Sequence, residues 1–322
     1  MHKKINFLDQ ETARIFKLLF GSIDKERLIE VPVSAADYIF YSPFTPDHHL
    51  VGPNVIKIFI TGENLCPDFN ACDYAISGEH LELGDRHLRV PTYATYKDAK
   101  KLLSRPKINE AELSAKSEFC NFVYSNNRLA HPTREQFFNA ISAVSPVVSA
   151  GRFLRNSDAL IALESDNDWK HAKQKFLKQF RFTIAIENSG KPGYITEKLM
   201  DALIAKTVPI FWGDPRITEE FNSDAFFHLR DYKNYSEAIY DIKQLDANRP
   251  RLLEMINAPV FTGGIDRVDR YVNAAQTFIE AIFDQNLITA RRRPRHGWTQ
   301  WLEQKRRKDQ TGLTRRLKRN RF

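Results

Sequence analysis

The sequence predicts an α/β protein: two domains of similar size facing each other, with a basic tail beyond about residue 286. Three observations lead there. Runs of β-branched and aromatic residues alternate with helical patterns through the first half, as parallel α/β layers require. The alternation returns more clearly after a small-residue-rich stretch, SPVVSAGRFLRNS (145–157), which reads as a crossover between domains. Charge is also segregated. Residues 289–322 hold 13 Lys and Arg against Glu303 and Asp309, a net +11, so the chain total of +8 leaves −3 for the rest. A mildly acidic body argues against a nucleic-acid-binding protein, and no nucleic acid is expected as partner.

Taken in order, KINFL, DYIFY (37–41), VIKIFIT (55–61) and DYAIS (73–77) read as strands, and FCNFVYS (119–125) continues the set. REQFFNAISAV (134–144) is helical. Beyond the crossover, HAKQKFLKQF (171–180) reads as helix, FTIAIE (182–187) as strand, EKLMDALIAK (197–206) as helix and VPIFW (208–212) as strand. GDPRI (213–217) is a turn, AFFHL (225–229) a short strand and YSEAIYDIKQL (235–245) a helix. DRVDRYVNAAQTFIEAIF (266–283) makes a long amphipathic helix.

Length suits two domains, at roughly 100–200 residues each, and 42% hydrophobic residues with 23 phenylalanines suffice for real cores. No run approaches the roughly 18 apolar residues of a membrane span. MHKKINFLDQETARIF lacks the apolar segment of a secretory signal. Cys66, Cys72 and Cys120 show no metal-ligand spacing and read as free thiols in a reducing compartment.

One connection stands out. ENSGKPGYITEK (187–198) joins a strand to a helix, where about two to six residues normally suffice. Ligands of open α/β sheets sit beyond the carboxyl ends of strands, where helix N-termini offer unpaired amides to phosphate. Thr196 suits an N-cap and Glu197 the first turn, which an ordinary solvated connection also explains. Lys198 works against the helix dipole unless an anion receives both, and a diphosphate is such an anion. Glu197 could take a ribose diol, while Gly190 and Gly193 permit close approach or positive φ. These residues point to a nucleotide-diphosphate site.

FRFTIAIENSGKPGYITEKLMDALIAKTVPIFWGDP closely resembles the signature of the α-1,3-fucosyltransferases, glycosyltransferase family 10. VIKIFITGENLCPDFNACDYAI (55–76) and DRHLRVPTY (85–93) are similar to two further blocks, and FCNFVYSNN and GRFLRNS match more loosely. Order and spacing agree over about residues 30 to 250. The resemblance implies an inverting GT-B enzyme of two Rossmann-like domains facing a cleft. The expected layout is 1–147 as the acceptor side, 148–265 as the GDP-fucose-binding domain, 266–288 as a closing helix and 289–322 as a basic amphipathic tail. It implies GDP-fucose as donor, α-1,3 or alternatively α-1,4 transfer to an N-acetyllactosamine-type glycan such as a Lewis-type lipopolysaccharide or oligosaccharide, and no metal requirement. Carried onto this chain, Asn188, Tyr194, Glu197 and Lys198 become donor-site residues, with Glu197 on the ribose and Lys198 and Tyr194 toward the diphosphate and fucose. Arg155 takes the phosphate-binding place, with Arg152 as its alternate. Glu63 of ITGEN becomes the general base; Glu187 competes for that role, and the family pattern makes it an orienting residue. Another nucleotide sugar, or a silent glycan- or nucleic-acid-binding protein, are the competing readings.

Asp166–Asn167–Asp168 spells a metal-binding D-x-D but precedes a helix, where acids serve as caps. His48, His49 and His228 show no ligand constellation. In the tail, Trp298, Trp301 and Leu302 share one helical face amid basic residues, which suits an anionic membrane surface through 289–322. With the bacterial resemblance, the expectation is a bacterial cytoplasmic enzyme peripheral on the inner face of the membrane.

Overall fold

A computed structural model describes residues 2–21, 27–96, 98–162, 168–264 and 267–319. The chain divides into two compact units, Met1–Thr95 with Asp269–Phe322, and Tyr96–Val268.

In the first unit, β1 (Lys3–Phe7), β2 (Leu28–Glu30), β3 (Tyr38–Tyr41), β4 (Ile56–Ile60), β5 (Tyr74–Ser77) and β6 (His87–Arg89) pair in parallel in the order β2-β1-β3-β4-β5-β6. β3, β4 and β5 are buried at every position, as strands covered on both faces must be. Helix α1 (Gln10–Phe20) starts at Asp9, whose carboxylate accepts from Thr12 N on the helix and Ser42 N beyond β3.

The second unit runs α2 (Glu110–Ser114), β7 (Glu118–Phe122), α3 (Thr133–Ser142), β8 (Val147–Ser149), α4 (Ala159–Ala162), α5 (Trp169–Leu177), β9 (Phe180–Ile186), α6 (Glu197–Ile204), β10 (Val208–Trp212), β11 (Phe227–His228), α7 (Tyr235–Ala247) and α8 (Arg249–Asn257). Its parallel sheet has the order β11-β10-β9-β7-β8. Chain direction across the sheet reverses between β7 and β9, the doubly wound switch point outside which ligands bind. The core joins both sheet faces through Phe122, Phe137, Phe182, Ile184, Ile210 and Ile242.

The expected boundary after residue 147 is corrected. β7 registers Cys120 against Phe182 of β9, so residues 118–122 belong to the second sheet and the division falls at Thr95/Tyr96. SPVVSA does not cross between domains: Val147–Ser149 is the edge strand beside β7. Helix α9 (Arg267–Phe283) returns to the first unit, where Phe283 packs edge-on to Tyr38 at 4.9 Å. Short α10 (Leu287–Ala290) and long α11 (Trp298–Arg319) follow.

The tail is likewise no appendage at its start. Arg293 is 2% exposed; its Nε donates to Asp73 at 3.0 Å, and its guanidinium also reaches Glu303 and the Val55 carbonyl. Lys57, on fully buried β4, completes the cluster at 2.9 Å from Glu303. Burial and the nearby Arg293 draw Lys57 down to about 8 against the pull of Glu303. Two cations and two carboxylates thus seat residues 293–303 in the first unit. Cys66, Cys72 and Cys120 are free. Among the described residues, no helix is long and apolar enough to cross a membrane.

Candidate active site

The stretch 187–198 is held by its own ends. Glu187, 0% exposed, directly follows β9 and accepts from Thr196 N (2.7 Å), Thr196 Oγ1 (2.7 and 2.8 Å) and Lys198 Nζ (3.1 Å). One buried carboxylate therefore closes the loop between β9 and α6. Thr196 occupies the N-cap position of α6, yet its hydroxyl serves Glu187 and gives the helix no cap bond. Gly193 takes φ +86° while its N–H donates to Asp214 at 2.8 Å, a conformation only glycine adopts freely. A Cβ on Gly190 would collide with the Arg230 guanidinium.

Outside the carboxyl ends of β7 and β9 lies a cavity of about 290 Å³. Glu197, Lys198 and Asn188 line it, with Arg134, Lys173 and Asp201. Lys198 stands between Glu187 and Glu197, 3.1 Å from each. Burial would lower its pKa, but those two carboxylates hold it well above the ordinary lysine range. Glu197, whose side chain is half-exposed, is pulled down to about 2 by Lys198 and Lys173 against the opposing effect of burial. Burial raises Glu187, with Lys198 and Thr196 acting the other way. Asp201 accepts from Lys173 (2.7 Å) and from the Tyr96 hydroxyl, fixing the far wall.

A neighbouring cavity of about 340 Å³ holds Arg152 and Arg155, and it shares Ser125 and Trp169 with the first. Leu154, between the two arginines, adopts φ +53°, a strained turn at their segment. Arg155 is engaged by Asp158. Asn188, Glu197 and Lys198 thus share one cavity, and Arg155 lines its neighbour. Tyr194 is only 5% exposed and is not among the described residues that line this cavity. Glu63 belongs to the first unit, just past the carboxyl end of β4. Its N–H donates to Thr61 Oγ1 (3.0 Å), and the Thr92 hydroxyl holds Gly62 O (2.5 Å).

Sequence reasoning missed Arg134, Lys173, Asp201 and Tyr96, which come from separate elements. A readable signal existed for Arg134, since it shares the buried face of α3 with Phe137, Phe138 and Ile141. Of the D-x-D, Asp168 caps α5 by accepting from Lys170 N and His171 N, and the other two residues lie outside the described ones.

Residues 4–96 match the α-(1,3)-fucosyltransferase FucT N-terminal domain, and residues 113–257 match the C-terminal part of glycosyltransferase family 10 (fucosyltransferase). The chain belongs to glycosyltransferase family 10. Within the family, an α-(1,3)-fucosyltransferase of Helicobacter pylori is 31% identical over 257 residues, covering 70% of this chain and 52% of that protein. A putative fucosyltransferase of Acanthamoeba polyphaga mimivirus is 25% identical, covering 89% and 50%. The chain therefore spans about half the length of these relatives. Among solved structures, an α1,3-fucosyltransferase crystallised with GDP-fucose superposes with a TM-score of 0.68 at 26% identity, over 88% of this chain and 91% of that one. Another α1,3-fucosyltransferase structure gives 0.71 at 27%, over 91% and 92%.

Proposed function

We propose that this family 10 chain transfers L-fucose from GDP-fucose to the 3-hydroxyl of an N-acetylglucosamine-containing glycan, with inversion at C1. The observation that carries the donor half is the Glu197–Lys198 pair opening α6 on the switch-point cavity. A carboxylate suits a ribose diol, a lysine beside a helix N-terminus suits a diphosphate, and a structural relative was crystallised with GDP-fucose. Arg152 and Arg155 in the adjoining cavity supply further charge for the phosphates.

In the proposed reaction the acceptor oxygen forms a bond to fucose C1 as the C1–O bond to GDP breaks, its electron pair leaving on the phosphate. Glu63 takes the hydroxyl proton, and Lys198 with Arg155 or Arg152 offsets the charge that grows on GDP. Glu187 does not suit the base: it is fully enclosed and both its oxygens are bonded, so we assign it the loop's orientation instead. Names among the relatives, including a 3-α-L-fucosyltransferase acting on 4-galactosyl-N-acetylglucosaminide, support the acceptor class and leave lipopolysaccharide as its bacterial form. Tyr194 is proposed to shape the donor side from behind Lys198.

We further propose that α11 rests on an anionic membrane, placing the protein peripherally on the inner face of a bacterial membrane. Trp298 is 81% and Trp301 51% exposed, and their rings meet edge-on at 5.5 Å.

The deciding experiment incubates the protein with each common nucleotide sugar and an N-acetyllactosamine acceptor, reading product mass. A deoxyhexose added from GDP-fucose alone is expected. Transfer from another donor replaces the substrate assignment, and binding of glycan without any transfer points to a silent lectin-like role.

A further inference from the structure

A second cavity of the second unit, about 790 Å³, lies between β11, the edge strand of the sheet, and helix α8. It shares no lining residue with the donor cavity or with the cavity of Arg152 and Arg155, and the proposed transfer makes no use of it. Its volume is that of a small-molecule site.

The lining has two kinds of surface. Phe227, Tyr232, Leu253 and Met255 pack on the unit's core and are only half-buried, so they leave apolar area facing the cavity. The other kind accepts hydrogen bonds. The carboxylate of exposed Asp224 has no partner among the described residues. His228, its side chain 6% exposed, has Nδ1 3.6 Å from Asp231 Oδ1. Burial holds the pKa of this ring below the ordinary histidine value, so it is neutral. With its proton on Nδ1, toward the carboxylate, Nε2 is a bare acceptor, and that atom is buried without a partner. Cations do not dominate: Arg251 is paired with Glu254 at 2.6 Å, which leaves Lys107 against Asp224 and Asp231. An anion is poorly served there. A neutral ligand rich in hydroxyl donors and carrying an apolar face satisfies both surfaces at once, and a pyranose ring is such a ligand.

We propose that this cavity is a second glycan-binding site, which holds a sugar unit of the acceptor remote from the unit being fucosylated. The C–H face of that sugar covers Phe227, Leu253 and Met255. Its hydroxyls donate to Asp224 and, once the ring is seated between β11 and α8, to His228 Nε2. This rests on the reading of the protein as a glycan-modifying transferase. A glycan held at one point presents its other repeats at raised effective concentration, so the site distinguishes long acceptors from short ones.

The test compares N-acetyllactosamine with a linear hexasaccharide of the same repeat, using the full chain and GDP-fucose. Allowing for its number of repeats, the hexasaccharide should show a KM roughly tenfold or more below that of the disaccharide, at similar kcat. Asp224→Ala removes an exposed carboxylate, and Met255→Trp fills the cavity. Each should raise the hexasaccharide KM to the disaccharide value while leaving disaccharide KM, kcat and the unfolding midpoint as in the parent. Titrated without donor, the hexasaccharide should bind the parent about tenfold more tightly than either variant. A parent without length preference, or variants that keep it, overturn the second site. A chain that adds deoxyhexose to neither acceptor removes the proposed function instead, and the titration then decides the site by itself: equal binding by parent and variants removes it as well.

Discussion

Lys198 couples two tasks in one side chain, because it both faces the cavity and neutralises Glu187, which has no exposure at all. Lys198→Ala should therefore weaken donor binding by about 1.5–3 kcal/mol. It should also lower urea stability by about 3–5 kcal/mol, the cost of stranding a buried charge. The stability loss depends on pH with a definite sign. Burial already raises Glu187 above its unfolded value, so its contribution is full below the ordinary carboxylate range and is lost as pH rises through the folded value. Removing Lys198 raises that value further, so the variant's deficit should shrink from neutral pH toward about pH 5. A deficit constant over that range would show that Glu187 bears no unpaired charge. Glu63→Gln, in the other unit, should instead cut kcat by on the order of 10²–10⁴ and leave GDP-fucose affinity intact. Equal turnover by the variant would remove Glu63 from the base role. Asn188, Glu197 and Lys198 were legible in the sequence because one strand–loop–helix run carries all three. Lys173 and Asp201 were not, since only the packing of α5 against α6 pairs them, at 2.7 Å.

At the scale of elements, long strands and helices were readable and short or edge pieces were not. β9 and β10 are apolar along their length and carry their own boundaries, whereas β8 is three residues whose strand character comes from pairing with β7. The same distinction governs the segment before α11. By sequence Arg291, Arg292 and Arg293 are equivalent charges on a tail. In the fold only Arg293 is enclosed, because Asp73 and Glu303 lie on either side of it. Asp73 accepts from the backbone N–H groups of Lys57, Arg292 and Arg293 as well, so it organises β4 and the incoming chain together. Arg293→Met should consequently destabilise the first unit by about 3–5 kcal/mol. The measurement is urea unfolding followed through a probe in that unit. A loss under about 1 kcal/mol, the scale of an exposed pair, would mean the cluster is solvated in solution.

For the molecule as a whole, the proposed membrane attachment and the folding of the first unit would draw on the same C-terminal segment, so a simple truncation cannot separate them. A cut near Ala290 removes Arg293 and Glu303 and leaves Lys57 and Asp73 buried without their partners. That chain should lose stability along with any affinity for vesicles. The anchor and the exposed face are nonetheless different residues: Arg293, Glu303 and Arg306 bind inward, the last to Asp68 at 2.6 Å, while Trp298 and Trp301 face out. Replacing both tryptophans with alanine should keep the unfolding midpoint and reduce sedimentation with anionic vesicles. The residue left over should be electrostatic, since 289–322 still carries +11 against −3 elsewhere, at about 1 kcal/mol per cation near the surface. Salt then discriminates the two contributions. The parent should be weakened by high salt yet stay partly bound through the tryptophans, whereas the double variant should be released completely. A parent that never pellets with anionic vesicles, or a double variant that pellets like the parent in high salt, would place the function of this helix elsewhere.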